Sequence, residues 1–191
     1  GCFICYPNKH EGKGLAGDSC WAAAALMKDG DLSAIEVVSG KVLEDYEPGL
    51  LILREGPLLE TVTQRLPERP DILIVNATGR DHPRRAGMAL HLGARLSLPS
   101  VGVTRNPLLA EGSWPADERG ASSPLRIGDE IVGCWLRTRR GSAPLAVHAA
   151  WRTDPETALS VIMAVTGRWR TPEPVRLARR AARLERAAAI R

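Results

Sequence analysis

The sequence predicts an α/β fold built on a mixed sheet with helices on both faces. Three strand-like runs stand at the front of the chain with only turns between them, the mark of antiparallel neighbours. A strand–helix–strand alternation follows over residues 71–104, and such a unit crosses over in the right-handed sense between parallel strands. Two further strand-like runs then precede a helical one, so the sheet holds both orientations and needs helices to cover it.

Each element has its own reason. The first strand covers 1–6 and holds Cys2-Phe3-Ile4-Cys5-Tyr6; a Gly-rich loop from Pro7 to Gly17 joins it to a second strand over 20–28. A third strand over 34–42 is centred on Ala34-Ile35-Glu36-Val37-Val38. After a polar turn, Leu51, Ile52, Leu58, Leu59 and Val62 recur at helical spacing, which predicts a helix over 50–66. Pro70 opens Asp71-Ile72-Leu73-Ile74-Val75, a short apolar run that reads as a buried strand over 71–76. Helix 84–96 and strand 100–104 complete that unit. The segment from Trp114 to Ser123 mixes Pro, Gly, Ser and charge and reads as a surface loop. Strands over 130–138 and 143–150 follow, then a helix over 154–166. A last helix begins after Pro174, with Val175, Leu177, Ala181 and Leu184 as its apolar positions. Nothing repeats internally, which predicts one domain over 1–171 with the helical segment 172–191 packed on it.

Composition narrows the class. The 191 residues, 44% hydrophobic and 25% charged, suit one globular core. No apolar run approaches the roughly 20 residues that span a bilayer, and no signal-peptide pattern opens the sequence; the expectation is a cytoplasmic protein with no membrane partner. Cys2, Cys5, Cys20 and Cys134 read as reduced thiols. Strand alternation turns Cys2 and Cys5 to opposite faces, and no second Cys-x-x-Cys completes a zinc set. Charge is unevenly placed: residues 172–191 hold six arginines and two glutamates, which equals the net +4 of the whole chain. An arginine face of this kind contacts phosphates, or is simply the solvated side of a docked helix.

The segment Val75-Asn76-Ala77-Thr78-Gly79-Arg80-Asp81-His82-Pro83-Arg84-Arg85 stands where the buried strand ends and a helix is due. Open α/β sheets place their chemistry at such carboxyl ends. This segment resembles the endonuclease V family, which carries Val-Asp-Gly-x-Gly-x-x-His-Pro-Arg-Arg here. Tyr46-Glu47-Pro48-Gly49-Leu50-Leu51-Ile52-Leu53-Arg54-Glu55, Leu98-Pro99-Ser100-Val101-Gly102-Val103-Thr104-Arg105, Gly133-Cys134-Trp135-Leu136-Arg137-Thr138 and Trp151-Arg152-Thr153-Asp154 are similar to further family segments in the same order. The first strand begins with the sequence itself, whereas family members usually carry a helical segment ahead of it.

The resemblance implies a ribonuclease H-like fold and a phosphodiester hydrolase of the DNA-repair class, cleaving near inosine in DNA or RNA. It implies Mg²⁺, a hard cation that takes oxygen ligands and activates water. Six positions correspond to the family's catalytic set. Phe3 stands at the ligand Asp of the first strand, and a phenyl ring cannot bind such a cation; an alternative register puts Asp18 there but leaves too little chain for the following strand, and Asn76 replaces the second core Asp and offers one neutral carbonyl oxygen. Glu55 and His82 are retained, Glu55 being the anionic metal ligand, although a helix-entry Glu or His also serves structure alone. Arg105 replaces a Lys, and Asp154 is retained, equally as an N-cap. Among substrate-binding positions, Trp151 replaces a His, while Tyr46, Pro48, Gly79 and Arg84 keep family motif residues. Asp18 and Asp81 are carboxylates that could rebuild a ligand set.

These substitutions lead to the expectation of a divergent member whose metal-dependent nuclease activity is lost or strongly altered, with weak Mg²⁺ binding at Glu55 or none. One alternative is an active endonuclease that still uses Mg²⁺. Another is a metal-free enzyme or binding module that receives a small molecule or protein partner in the vacated cleft. Weak nucleic-acid binding through the basic C-terminal helix is expected in any of these.

Overall fold

Residues 1–7 and 15–190 are described in the computed structural model, so most of the Pro7–Gly17 loop and Arg191 lie outside the described residues. The chain divides into two compact units, residues 1–70 with 174–191 and residues 71–173.

In the first unit, β1 (Cys2–Cys5), β2 (Ser19–Lys28) and β3 (Asp31–Lys41) pair antiparallel in the order β3-β2-β1. Asp29 and Gly30 join β2 to β3 at φ 54° and 89°, the two left-handed residues that a tight hairpin demands. Strand β2 is buried from Cys20 to Leu26, and its period-two alternation feeds both faces. Trp21, Ala23 and Ala25 pack with Ala178 and Ala182 of α4 (Glu173–Ala189), and Phe3 and Val37 lie against the same cluster. On the other face Gly40, in register with Cys20, abuts Leu58 of α1 (Leu51–Gln64). Helices therefore cover both faces of this sheet. Along α4, Val175, Ala178 and Ala182 are buried but Leu184 is 61% exposed, contrary to its expected place on the apolar side. Two residues beyond Ala182 is roughly 200° around the helix, so Leu184 points away.

In the second unit β4 (Leu73–Val75) and β5 (Ser100–Thr104) are parallel, and α2 (Met88–Leu96) connects them. Strands β6 (Ser122–Ile127), β7 (Glu130–Leu136) and β8 (Leu145–Ala149) complete the order β4-β5-β8-β7-β6 by antiparallel pairing. Helix α3 (Pro155–Ala164) packs on β7 and β8. The mixture of one parallel pair with antiparallel neighbours is the expected α/β class.

Two readings of the sequence need correction. Strand β6 occupies part of the expected loop and the residues after it. Pro124 hid it, since proline is compatible with a strand at a sheet edge, where β6 stands. Helix α2 starts at Met88 rather than 84, because Arg85 sits at φ 56° and Gly87 is extended. The His-Pro-Arg-Arg run is thus a turn ahead of the helix.

Candidate functional site

In the first unit, Glu55 lies in the first half of α1 and is 9% exposed. The Tyr6 hydroxyl, just beyond β1, donates to Glu55 Oε1 at 2.9 Å. Burial pushes the Glu55 carboxyl up to about 7, against the opposing pull of the Tyr6 bond and the Arg54 charge. Its neighbour Arg54 is 4% exposed and donates to Leu15 O at 3.0 Å, Glu44 O at 2.8 Å and Asp18 Oδ2 at 2.8 Å. The same guanidinium lies 4.9 Å from the centre of the Tyr6 ring. Asp18 also accepts from Leu15 N, so this carboxylate is spent on the turn and on Arg54 rather than offered to a ligand.

Phe3 is paired with Ala23 and turned toward α4. The Arg179 and Arg183 guanidinium carbons lie 5.0 and 5.9 Å from its ring centre, a cation–π arrangement. Arg186 donates to Tyr6 O at 3.1 Å. Three arginines of α4 thus gather along β1. In the segment before α1, Tyr46 is 42% exposed and Pro48 is exposed, while Asp45 accepts from Ala16 N at 2.7 Å. All four cysteines are free; burial raises Cys2 and Cys20 to about 11, which keeps both as thiols.

In the second unit Asn76 follows β4 and is exposed. Gly79 comes so close to Ala149 O that a Cβ there would overlap it, and Arg80 N donates to the same oxygen at 3.1 Å. That approach explains the glycine and fixes the turn against β8. His82 is 7% exposed, and its Nδ1 accepts from Arg84 N at 3.2 Å, the structural use of a helix-entry histidine. Arg84 and Arg105 are exposed. Trp151 donates from its backbone N to Ser100 Oγ at 3.1 Å, and Arg152 lies 5.7 Å from its ring centre.

Asp154 caps α3. Its carboxylate accepts from Thr157 N at 2.7 Å and Thr157 Oγ1 at 3.0 Å, and these bonds hold it below the usual carboxylate range. Asp81 is fully buried and accepts three backbone N–H groups, from Leu108, Leu109 and Ala110. Asp18 and Asp81 thus both accept bonds from the protein itself.

The sequence reading passed over Arg54, Tyr6 and the Arg179–Phe3–Arg183 stack. Arg54 stands beside Glu55 in its motif and could have been flagged there; the stack joins opposite ends of the sequence and leaves no local signal. Among the described residues no group of three or more His, Cys, Asp or Glu side chains could hold a metal ion. Of the positions that the motifs mark for a divalent cation, Phe3 carries no oxygen donor and Asn76 a neutral one.

A family model for endonuclease V matches residues 10–180. An endonuclease V from Roseiflexus castenholzii is 40% identical over 167 residues, which is 86% of this chain and 75% of that protein. The crystal structure of the Streptomyces avermitilis endonuclease V superposes with a TM-score of 0.89 at 32% identity, covering 100% of this chain and 81% of that one. The Ciona intestinalis endonuclease V, crystallised with a 24mer DNA containing an inosine, shares the fold with a TM-score of 0.79 at 18% identity, over 100% of this chain and 85% of that one. The motif order, the strand order and these matches agree: the chain belongs to the endonuclease V family.

Proposed function

We propose that this member keeps the endonuclease V framework while its metal-dependent phosphodiester cleavage is lost or strongly altered. The observation that carries the reading is Phe3. At the position of a ligand carboxylate it presents a ring, and the groups stacked on that ring are the cations Arg179 and Arg183. A hard divalent ion requires oxygen donors, and a phenyl ring supplies none. The other changes point the same way. Asn76 is uncharged, and Asp154 is engaged as a cap.

The test is a cleavage assay on inosine-containing and unmodified strands of DNA and RNA with Mg²⁺ or Mn²⁺, paired with calorimetric titration of each ion. The expected result is no metal-dependent cleavage and no tight stoichiometric binding. Cleavage near inosine that disappears in Glu55→Ala would overturn the reading.

Retained nucleic-acid binding through α4 is a second part of the proposal. Arg180 and Arg183 are exposed on this helix, and the surplus positive charge of the chain lies in its segment. Contact with phosphates through such a face is independent of sequence and weakens steeply with salt.

A further inference from the structure

At the carboxyl end of β5 two arginines come together, and only one of them stands at a motif position. Strands β5 and β8 run antiparallel, with Val103 opposite Val147 and Thr104 opposite Ala146. Arg105 comes next in the chain and so stands level with Leu145, the first residue of β8. Pro144 lies one residue before that start, and its carbonyl oxygen accepts from Arg170 Nη2 at 2.8 Å. Arg105 and Arg170 therefore share one corner of the sheet, within the unit 71–173.

The backbone on which each arginine stands is tied down. Asp81 takes the amides of Leu108, Leu109 and Ala110, which fixes the chain just after Arg105. Arg170 O accepts from Thr138 Oγ1 at 2.7 Å. Arg119 donates to Thr166 O at 2.7 Å, and to Gly167 O and Thr138 O at 2.9 Å each, so the residues before Arg170 are held at the end of β7. A site built on such supports is set in place before a ligand arrives.

The charge around Arg170 differs from that around the buried arginines. Arg54 bonds to two carbonyl oxygens and to Asp18, and Arg137 bonds to three carbonyl oxygens with Asp117 at 3.5 Å. Arg170 is half-buried, its guanidinium donates to Pro144 O, and its buried Nε meets no acceptor. Among the described residues no carboxylate pairs with Arg170 or with the exposed Arg105. The charge that acts on Arg170 is that of Arg105, and burial and this neighbour together push its guanidinium below the ordinary arginine value. Two cations side by side without a counter-charge, one of them partly desolvated, attract an anion. The planar fork of a guanidinium matches the oxygens of a phosphate, and two forks suit a group that carries up to two charges.

We propose that Arg105 and Arg170 form a phosphate-binding site at the carboxyl end of β5, with Arg170 supplying the second guanidinium. The ligand is a phosphate group, carried by a nucleic-acid strand or free in solution. No metal ligand enters the site, so it stands whether or not strand cleavage survives, and neither of its members belongs to α4.

The experiment follows the arginine side-chain N–H signals of the ¹⁵N-labelled full chain by NMR as inorganic phosphate is added at constant ionic strength. Arg105 and Arg170 are expected to shift together and to saturate with one midpoint. Arg170→Gln should raise the midpoint read at Arg105 by about tenfold or more. Arg105→Gln, at an exposed position, should do the same to the midpoint read at Arg170. An unchanged midpoint in either variant overturns the proposal, and so does an equal response to acetate. If Arg170→Gln fails to fold, the Arg105→Gln titration still decides. A second arm adds unmodified single-stranded DNA to the chain carrying Arg180→Glu and Arg183→Glu. Shifts at both arginines that inorganic phosphate competes away assign the site to a strand's backbone; shifts with inorganic phosphate alone assign it to free phosphate. Silence of both arginines toward both ligands overturns the site. The cleavage assay can succeed or fail without moving these titrations, so the two readings are tested apart.

Discussion

Tyr6 and Glu55 share one proton-donating contact, hydroxyl to carboxylate at 2.9 Å, inside a region that excludes water from most of the carboxyl group. Because burial raises Glu55 from 4.5 to about 7, folding favours its protonated form. The stabilising contribution is full below the unfolded value and is lost as pH rises through about 7. Glu55→Gln keeps the shape without the charge. It should leave stability near pH 5 almost unchanged and raise it above pH 8 by roughly 2–3 kcal/mol. Urea denaturation at the two pH values measures this, and a variant destabilised equally at both would contradict it.

Arg54 reaches two segments through separate N–H groups, the 15–18 turn at Leu15 O and Asp18 Oδ2 and the chain before α1 at Glu44 O. A lysine keeps the charge but has no planar fork to reach them together. Arg54→Lys should cost about 2 kcal/mol, and Arg54→Met, which strands Asp18, about 3–5 kcal/mol. Equal losses in the two variants would show that the fork geometry contributes nothing.

Asp154 is depressed by the bonds it accepts from Thr157, so its contribution is present above the unfolded value of 3.8 and disappears as pH falls below it. Asp154→Ala is expected to lower the melting temperature at neutral pH, and the difference from the parent should shrink as pH falls below 3.8. An Asp154→Ala protein with unchanged melting at neutral pH would remove the cap from the account of α3.

The exposed arginines of α4 predict how any polyanion binding depends on salt. Arg180→Glu and Arg183→Glu should each reduce the slope of log affinity against log salt by about 0.7 on single-stranded DNA, and the two together by about 1.4. Inosine should change affinity little. An inosine preference that survives both substitutions would place recognition elsewhere.

The order of elements was legible because each has a strong local period: alternation in β2, helical spacing in α1, and strand–turn–helix in the unit around β4. Strand β6 was not, since its Ser-Ser-Pro start carries loop chemistry and only its place at the sheet edge makes the proline tolerable. The site was legible as motif positions. Its new partners were not, because Phe3 meets Arg179 and Arg183 only through the packing of α4 on β1 and β2. Asp154 shows the boundary well. Ligand and cap were equal readings from sequence, and the two contacts from Thr157 identify a cap.

The unit that begins the chain is closed by its last helix. Trp21, Ala23 and Ala25 are covered by Ala178 and Ala182, with Leu177 and Ala181 beside them. During synthesis, then, this face of β2 waits until residues 178–182 have emerged, while residues 71–173 are contiguous and can settle first. An arrest or cut before residue 174 strands an alanine-rich strand without its lid, a state prone to self-association. For this fold the quality of β1 to β3 is decided by a helix made long after them.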